Sequence, residues 1–150
     1  MTEEIAGFET AKLAKEKGFN EYCTAVYQQD ETLRFISYWE GANEEQEGVI
    51  KNDAIHDIYG DQICTAPTQS LLQTWLRRYH HIHLLVELDQ TMEPKFCFSV
   101  YQYKIGQSVY KNLLGLAPYS ELFYTYEKAI EDGLLWALSS IPSKSINTGS

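Results

Sequence analysis

The central stretch of the chain, residues 66–89, changes its hydrophobic period abruptly, and this change constrains the fold more than any other feature. Residues 66–80, APTQSLLQTWLRRYH, place apolar side chains at helical spacing, which predicts a helix. Residues 81–89, HIHLLVELD, alternate with a period of two, which predicts a strand. A helix that runs directly into a strand indicates a chain of mixed α and β structure.

The predicted helix has clear end signals. Thr65 is its candidate N-cap, Pro67 suits the first turn, and Arg77 and Arg78 suit the negative end of the helix dipole. Its apolar stripe consists of Thr68, Leu71, Leu72, Trp75, Leu76 and Tyr79. We therefore expect Trp75 to lie in the core.

A hairpin is predicted to follow this helix and to pack against it. One strand presents Ile82, Leu84, Val86 and Leu88 on its apolar face, and the second, within residues 96–105, presents Phe96, Phe98 and Val100. The intervening QTMEPK is read as the turn. A turn centred near residues 91 and 92 places Cys97 opposite Leu85 or Glu87.

Helices are also predicted near both ends of the chain. The first covers residues 8–17 and ends at Gly18, with Phe19 as the closing apolar contact. The last covers residues 126–141, with Thr125 as N-cap and Pro142 as its stop. Its apolar stripe consists of Ile130, Gly133, Leu134, Ala137, Leu138 and Ile141.

These elements predict an α+β fold, with a small antiparallel sheet of hairpins packed with about three helices on one face. Residues 22–39 predict two short strands around the turn QQDET, with Leu33, Phe35 and Ser37 alternating with their neighbours. We expect a single domain over residues 1–142, an acidic loop at about 40–61 with a short element at VIKNDAIHDIY, and a flexible tail at 143–150.

Charge and composition narrow the classes of function. The formal net charge is −9, and seven acids against one base between residues 40 and 61 supply two-thirds of it. Nucleic-acid binding is therefore not expected, and a protein partner with a basic surface is favoured. No leader-like or membrane-spanning apolar run is present, and three scattered cysteines indicate no disulfide framework. We expect a cytoplasmic protein with reduced thiols and no membrane partner.

No catalytic residue, metal ligand or cofactor is assigned from the sequence. His80 is read as the end of the helix, and His81 and His83 as neighbours on one strand face that lack further ligands within reach. Cys64 in CTAP precedes the predicted helix start, where a thiolate would be favoured, and His56 is its imaginable partner. No nucleophile signature surrounds it, so a half-buried, inert cysteine is the preferred interpretation.

The candidate binding residues are aromatic and acidic. Tyrosines and a tryptophan on the predicted strands would form a contact surface if their sheet face is exposed, and the alternative is that a helix or loop covers that face. Carboxylates of the acidic loop would face a basic partner. The resulting set is Tyr38, Trp39, Glu44, Glu45, Glu47, Tyr101 and Tyr103.

Three segments in this order resemble a known group of proteins: FETAKLAKEKGFNEYC, CTAPTQSLLQTWLRRYHHIHLLVE and YTYEKAIEDGLLWAL. They are similar to uncharacterised small proteins of Bacteroidetes phages, prophages and related mobile elements. The resemblance is weak through residues 24–60 and 104–120, and no match exists for SINTGS at the end. It implies a phage context and carries over no site residues.

The expected function is that of a non-enzymatic phage or mobile-element accessory protein that binds a host or phage protein. The alternative is a protein that binds or sequesters a nucleotide-like small ligand by stacking on tyrosines. A small enzyme with a cysteine or histidine centre is the third hypothesis. A homo-oligomer is compatible with each of them.

Overall fold

The computed structural model describes residues 4–35, 49–55, 62–89, 95–103, 110–114 and 120–142. In chain order these form helix α1 (Phe8–Glu16), strands β1 (Ala25–Gln28) and β2 (Leu33–Phe35), a 3-10 helix (Asn52–Ala54), strand β3 (Gln62–Thr65), helix α2 (Gln69–His80), strands β4 (Ile82–Asp89), β5 (Lys95–Tyr103) and β6 (Tyr110–Asn112), and helix α3 (Tyr126–Ser139). Two antiparallel three-stranded sheets, with orders β2-β1-β3 and β4-β5-β6, confirm the predicted α+β class.

Contacts group the chain into two compact units. The N-terminal unit comprises Ile5–Thr68 and Pro142–Ser150, and the C-terminal unit comprises Met1–Glu4 and Gln69–Ile141. The expectation of one domain over residues 1–142 stays a prediction. Within the described ranges, no helix has the length and apolar composition needed to cross a membrane.

In the N-terminal unit, helix α1 packs on the sheet and ends at the predicted glycine. Gly18 has a φ of 97°, which side chains rarely adopt, and its amide donates to the Lys15 carbonyl at 3.1 Å. The Phe19 amide donates to the Ala14 carbonyl at 2.9 Å, which completes a Schellman motif. Phe19 itself is buried. The local signal for the end of α1 is therefore confirmed.

The predicted hairpin between residues 22 and 39 is present as β1 and β2. The Glu31 amide donates to the Gln28 carbonyl at 2.8 Å, Glu31 takes a φ of 68°, and the Gln28 amide donates to the Thr32 carbonyl at 2.9 Å. These are the features of a three-residue hairpin loop with a left-handed third residue. Leu33 and Phe35, which share one face of β2, are both exposed.

The short element predicted inside the acidic loop is part of the core of this unit. Ile50 and Ile55 are buried with Val26. The Asn52 side chain is also buried, donates from Nδ2 to the Phe19 carbonyl and accepts the Thr65 amide at Oδ1, both at 2.8 Å. Satisfied hydrogen bonds in an apolar setting hold this segment against β3. The rest of the predicted loop lies outside the described residues.

In the C-terminal unit, the predicted hairpin forms the sheet on which α2 and α3 pack. Cys97 pairs with Glu87 and His83 with Tyr101, so the predicted register is confirmed. Leu84, Phe98 and Val100 are buried on the predicted apolar face. Strand β6, which pairs with the end of β5, was not predicted.

Both helices of this unit keep most of their predicted stripes. The Thr125 hydroxyl accepts the Lys128 amide at 3.1 Å, which confirms the N-cap of α3. Trp75 is buried, as predicted, but Tyr79 on the same predicted stripe is 55% exposed. The predicted start of α2 was wrong. Thr65 belongs to β3, where its amide bonds Asn52, and α2 begins at Gln69.

Candidate binding surface and cleft

The described parts of the chain contain two of the predicted binding residues, Tyr101 and Tyr103. Both lie at the end of β5 on the face opposite Phe98 and Val100, and both are half-buried. Cys97 and Ser99 on the same face are buried. This end of the strand is therefore no open aromatic platform. Tyr38, Trp39, Glu44, Glu45 and Glu47 lie outside the described residues.

Tyr27, another predicted strand tyrosine, belongs to the core of the N-terminal unit. Its hydroxyl donates to the Ala6 carbonyl at 2.7 Å, and its ring meets Phe8 edge to face with centroids 5.5 Å apart. A buried tyrosine whose hydroxyl is satisfied stabilises the fold and offers no surface to a partner.

The histidines at positions 80, 81 and 83 lie where helix α2 ends and strand β4 begins. His80 ends α2 and lies 4.6 Å from Trp75 between ring centroids, while His81 has a left-handed φ of 55° and β4 begins at Ile82. The carbonyls of His80 and His81 accept from Gln102 Nε2 at 3.1 Å and the Tyr103 amide at 3.0 Å. The prediction that His80 ends the helix is confirmed, but His81 precedes the strand and does not share its face.

No metal or thiolate site follows from these residues. The described ranges hold no group of three or more His, Cys, Asp or Glu placed to bind a metal ion. Cys64 is fully buried within β3, and this burial raises the pKa of its thiol to about 11, although the charge of Lys15 opposes the rise. Cys64 is thus more deeply buried than the predicted half-buried cysteine, and it does not lie before a helix start, because β3 occupies that position.

Cys23 is a second buried thiol, and it lies before β1 in an isolated antiparallel bridge with Ile50. Burial raises its pKa to about 11. The side chain of Thr65 lies beside it and lowers that pKa, yet the buried Thr65 hydroxyl has no hydrogen-bond partner of ordinary geometry in the described part of the chain. Neither cysteine is poised for nucleophilic chemistry.

An exposed apolar surface lies at one end of the C-terminal unit, and we call it the aromatic surface. It lies where β5 pairs with the segment that precedes α3. There Phe96 and Phe123 form an antiparallel bridge, in which the amide of each donates to the carbonyl of the other at 2.7 Å. The Tyr126 ring meets Phe96 edge to face at 5.9 Å, and Lys95 Nζ lies 4.9 Å from the Tyr124 ring centroid. The members of the aromatic surface are Leu88, Phe96 and Tyr126 beside the sheet face of Phe98, and Leu122 and Tyr124, which alternate with Phe123 and point to the opposite face.

Exposure separates this surface from the core beside it. Tyr124 is 74% exposed, Tyr126 47%, and Leu88 and Leu122 just over 40% each. Phe123, between two exposed neighbours, is buried and stacks on Phe98 with ring centroids 6.0 Å apart. Alternation along this segment thus directs one aromatic ring inward and its neighbours outward.

A cleft of about 440 Å³ adjoins this region, under helix α3. It lies along the edge of β5 where the pairing partner changes: the Leu113 amide donates to the Val100 carbonyl, and further along the Ser120 amide donates to the Phe98 carbonyl, both at 2.8 Å. The cleft is lined by Phe98, Leu114, Ser120, Glu121, Phe123, Asp132 and Trp136.

Neither feature was predicted from the sequence, although one signal was present. Trp136 lies outside the apolar stripe of the last predicted helix and four residues after Asp132, so both side chains share an outward face. A large aromatic side chain off the buried stripe is a sign of a contact surface. The residues of the segment 120–124 carried no such pattern.

Comparison with known proteins finds no matching family model, no matching curated protein and no matching solved structure.

Proposed function

We propose that the protein acts by binding a partner protein with a basic surface, and that the aromatic surface makes the contact. The observation that carries this proposal is the exposure of Tyr124, Tyr126, Leu88 and Leu122 at one end of the C-terminal unit. Exposed apolar side chains in a group cost solubility, and tyrosines supply much of the binding energy in protein interfaces.

The charges around the aromatic surface favour a basic partner. Three of its exposed members have an exposed glutamate next to them in the chain: Glu87 before Leu88, Glu121 before Leu122, and Glu127 after Tyr126. Lys95 is held over Tyr124, and Lys128 is paired with Asp132. Carboxylates at the rim of an apolar contact speed the encounter with a basic surface and disfavour acidic partners.

The sequence resemblance to small phage and prophage proteins suggests where this partner is found. We propose a host or phage protein as the partner, and an accessory role without catalysis. The predicted loop carboxylates Glu44, Glu45 and Glu47 would add to the attraction of a basic surface.

The test compares two changes of exposed tyrosines. The double variant Tyr124→Ser/Tyr126→Ser removes the two exposed tyrosines of the aromatic surface, and Tyr79→Ser removes a tyrosine of 55% exposure from α2. A partner is captured from infected host cells, purified, and its affinity for each variant is measured. We expect the double variant to bind about tenfold more weakly or worse, and Tyr79→Ser to bind like the original protein.

Circular dichroism and melting temperature confirm that each variant is folded before binding is compared. An association that the double variant leaves unchanged would refute the aromatic surface as the contact. A partner whose binding does not weaken as salt rises would refute the basic character assigned to it.

A further inference from the structure

We propose that the cleft under Trp136 is a binding site for an organic cation, an ammonium or guanidinium group carried on a short apolar stem. This inference goes beyond the proposed function, because different side chains form the cleft and the aromatic surface. The cleft volume of about 440 Å³ lies in the range of small-ligand sites, roughly 300–1,000 Å³.

The aromatic walls of the cleft are held in fixed positions. Trp136 Nε1 donates to the Leu113 carbonyl at 3.0 Å, which orients the indole, and about half of the Trp136 side chain stays exposed. Phe98 and Phe123 stack with an interplanar angle of 21°. Because the face of an aromatic ring carries negative charge density, a cation with an apolar stem gains from both properties of these walls.

The charged groups that line the cleft decide which charge a ligand can carry. Glu121 and Asp132 contribute carboxylates, and none of the described lining residues is basic. Ser120 Oγ is already engaged, since it accepts the Phe98 amide at 2.8 Å and donates to the Glu121 carbonyl at 2.7 Å. A phosphate would be repelled, so a nucleotide-like ligand does not fit this cleft.

Lys128 provides an internal competitor. Its Nζ lies 3.0 Å from Asp132 Oδ1, one turn earlier on α3, and its side chain is 61% exposed. An exposed lysine is held weakly in such a pair. An incoming cation can therefore bind the Asp132 carboxylate beside Lys128 or in its place. Removing the lysine should therefore raise the affinity of the cleft for a cation. A purely structural role for Asp132 would not produce such a rise.

The experiment uses the full chain with benzylamine as the cationic probe and benzyl alcohol as its neutral match in shape. Binding is followed by NMR through the indole Nε1–H signal of Trp136, which the Trp136→Phe variant assigns among the three tryptophans. We expect a saturable shift with benzylamine and an affinity about five- to thirtyfold above that of benzyl alcohol. Equal affinities, or a shift that never saturates, would overturn the proposal.

Charge variants make the test specific. Asp132→Asn should weaken benzylamine about three- to tenfold and leave benzyl alcohol unchanged, and Lys128→Gln should strengthen benzylamine about two- to threefold. Glu16→Gln, an exposed change in α1, is the matched control and should alter neither probe. If Asp132→Asn binds benzylamine as tightly as the original protein, the assignment of a cation site is wrong.

A further arm identifies the source of the cation. A capped glycine peptide with one central arginine is compared with benzylamine in the same titration. Tighter binding of the peptide supports a protein side chain as the natural ligand, and tighter binding of benzylamine supports a free amine. These titrations contain no partner protein, so their failure is separate from any failure of the aromatic surface.

Discussion

Replacing Gly133 with alanine should destabilise the protein, although alanine is a better helix former than glycine. Gly133 lies in α3 where the helix meets the sheet of the C-terminal unit. A Cβ atom there would overlap Leu84 Cδ1 and lie 3.1 Å from Leu84 Cδ2 and 3.2 Å from Phe98 Cγ. Both side chains are buried in the core of this unit. The close approach of helix and sheet depends on the missing side chain.

The size of the effect follows from two opposed contributions. Alanine in place of glycine improves helix propensity by about 1 kcal/mol. Forcing an extra carbon into a packed core costs about 1–3 kcal/mol, and a direct overlap together with a rigid ring nearby places this case near the upper end. We therefore expect Gly133→Ala to lower the free energy of unfolding by about 1–2 kcal/mol.

Urea unfolding monitored by circular dichroism measures this change, and a second background makes it decisive. In a Leu84→Ala protein the overlapping atoms are absent, so Gly133→Ala should there raise the free energy of unfolding by about 1 kcal/mol. The sign of the effect thus reverses between the two backgrounds. A stabilising effect in the original protein, or the same sign in both backgrounds, would show that α3 does not approach the sheet as closely as described.

Four further changes test the core and the junctions. Trp75→Ala should cost about 3–5 kcal/mol in urea unfolding, against under about 0.5 for the exposed Arg78→Ala. Thr65→Val should leave the unfolding midpoint equal or higher, because it removes a buried hydroxyl without a regular partner; a loss above about 1 kcal/mol would contradict this. His81→Gly should raise the free energy of unfolding by up to about 1 kcal/mol, because glycine adopts the left-handed φ of this position without strain. A lower melting temperature would show that the backbone at His81 is not strained. Burial, and then the charge of His81, lower the pKa of His80, so the unfolded state takes up its proton at higher pH than the folded state. The contribution of His80 to stability is therefore present above pH 6.5 and lost as pH falls through the lower folded pKa, and His80→Gln should flatten this part of the melting-temperature profile.

Local signals in the sequence determined the ends of several elements. Gly18 ends α1 and Thr125 begins α3, as predicted, because each acts through hydrogen bonds to residues at most five positions away. The register of the β4–β5 hairpin was also predictable, since the turn position predicted from the sequence fixes the strand pairs, including Glu87 with Cys97.

Where local and distant interactions compete, the sequence alone was misleading. Residues 65–68 carry helix-start signals, yet the Thr65 amide bonds Asn52, the Ala66 amide donates to the Ala25 carbonyl at 2.8 Å, and Thr68 bridges Ile5. These partners lie far away in the chain, so no local window contains them. The helix consequently begins only at Gln69.

Tertiary structure decided which side chains are covered and where a binding site exists. Periodicity defines the faces of an element, but the elements that pack on it decide how far along each face burial extends, which is why Trp75 is buried while Tyr79 on the same stripe is exposed. The cleft depends on this even more strongly. Its walls come from Phe98 on β5, from Leu114, Ser120, Glu121 and Phe123, and from Asp132 and Trp136 on α3, so it exists only once the chain has brought these separate segments together.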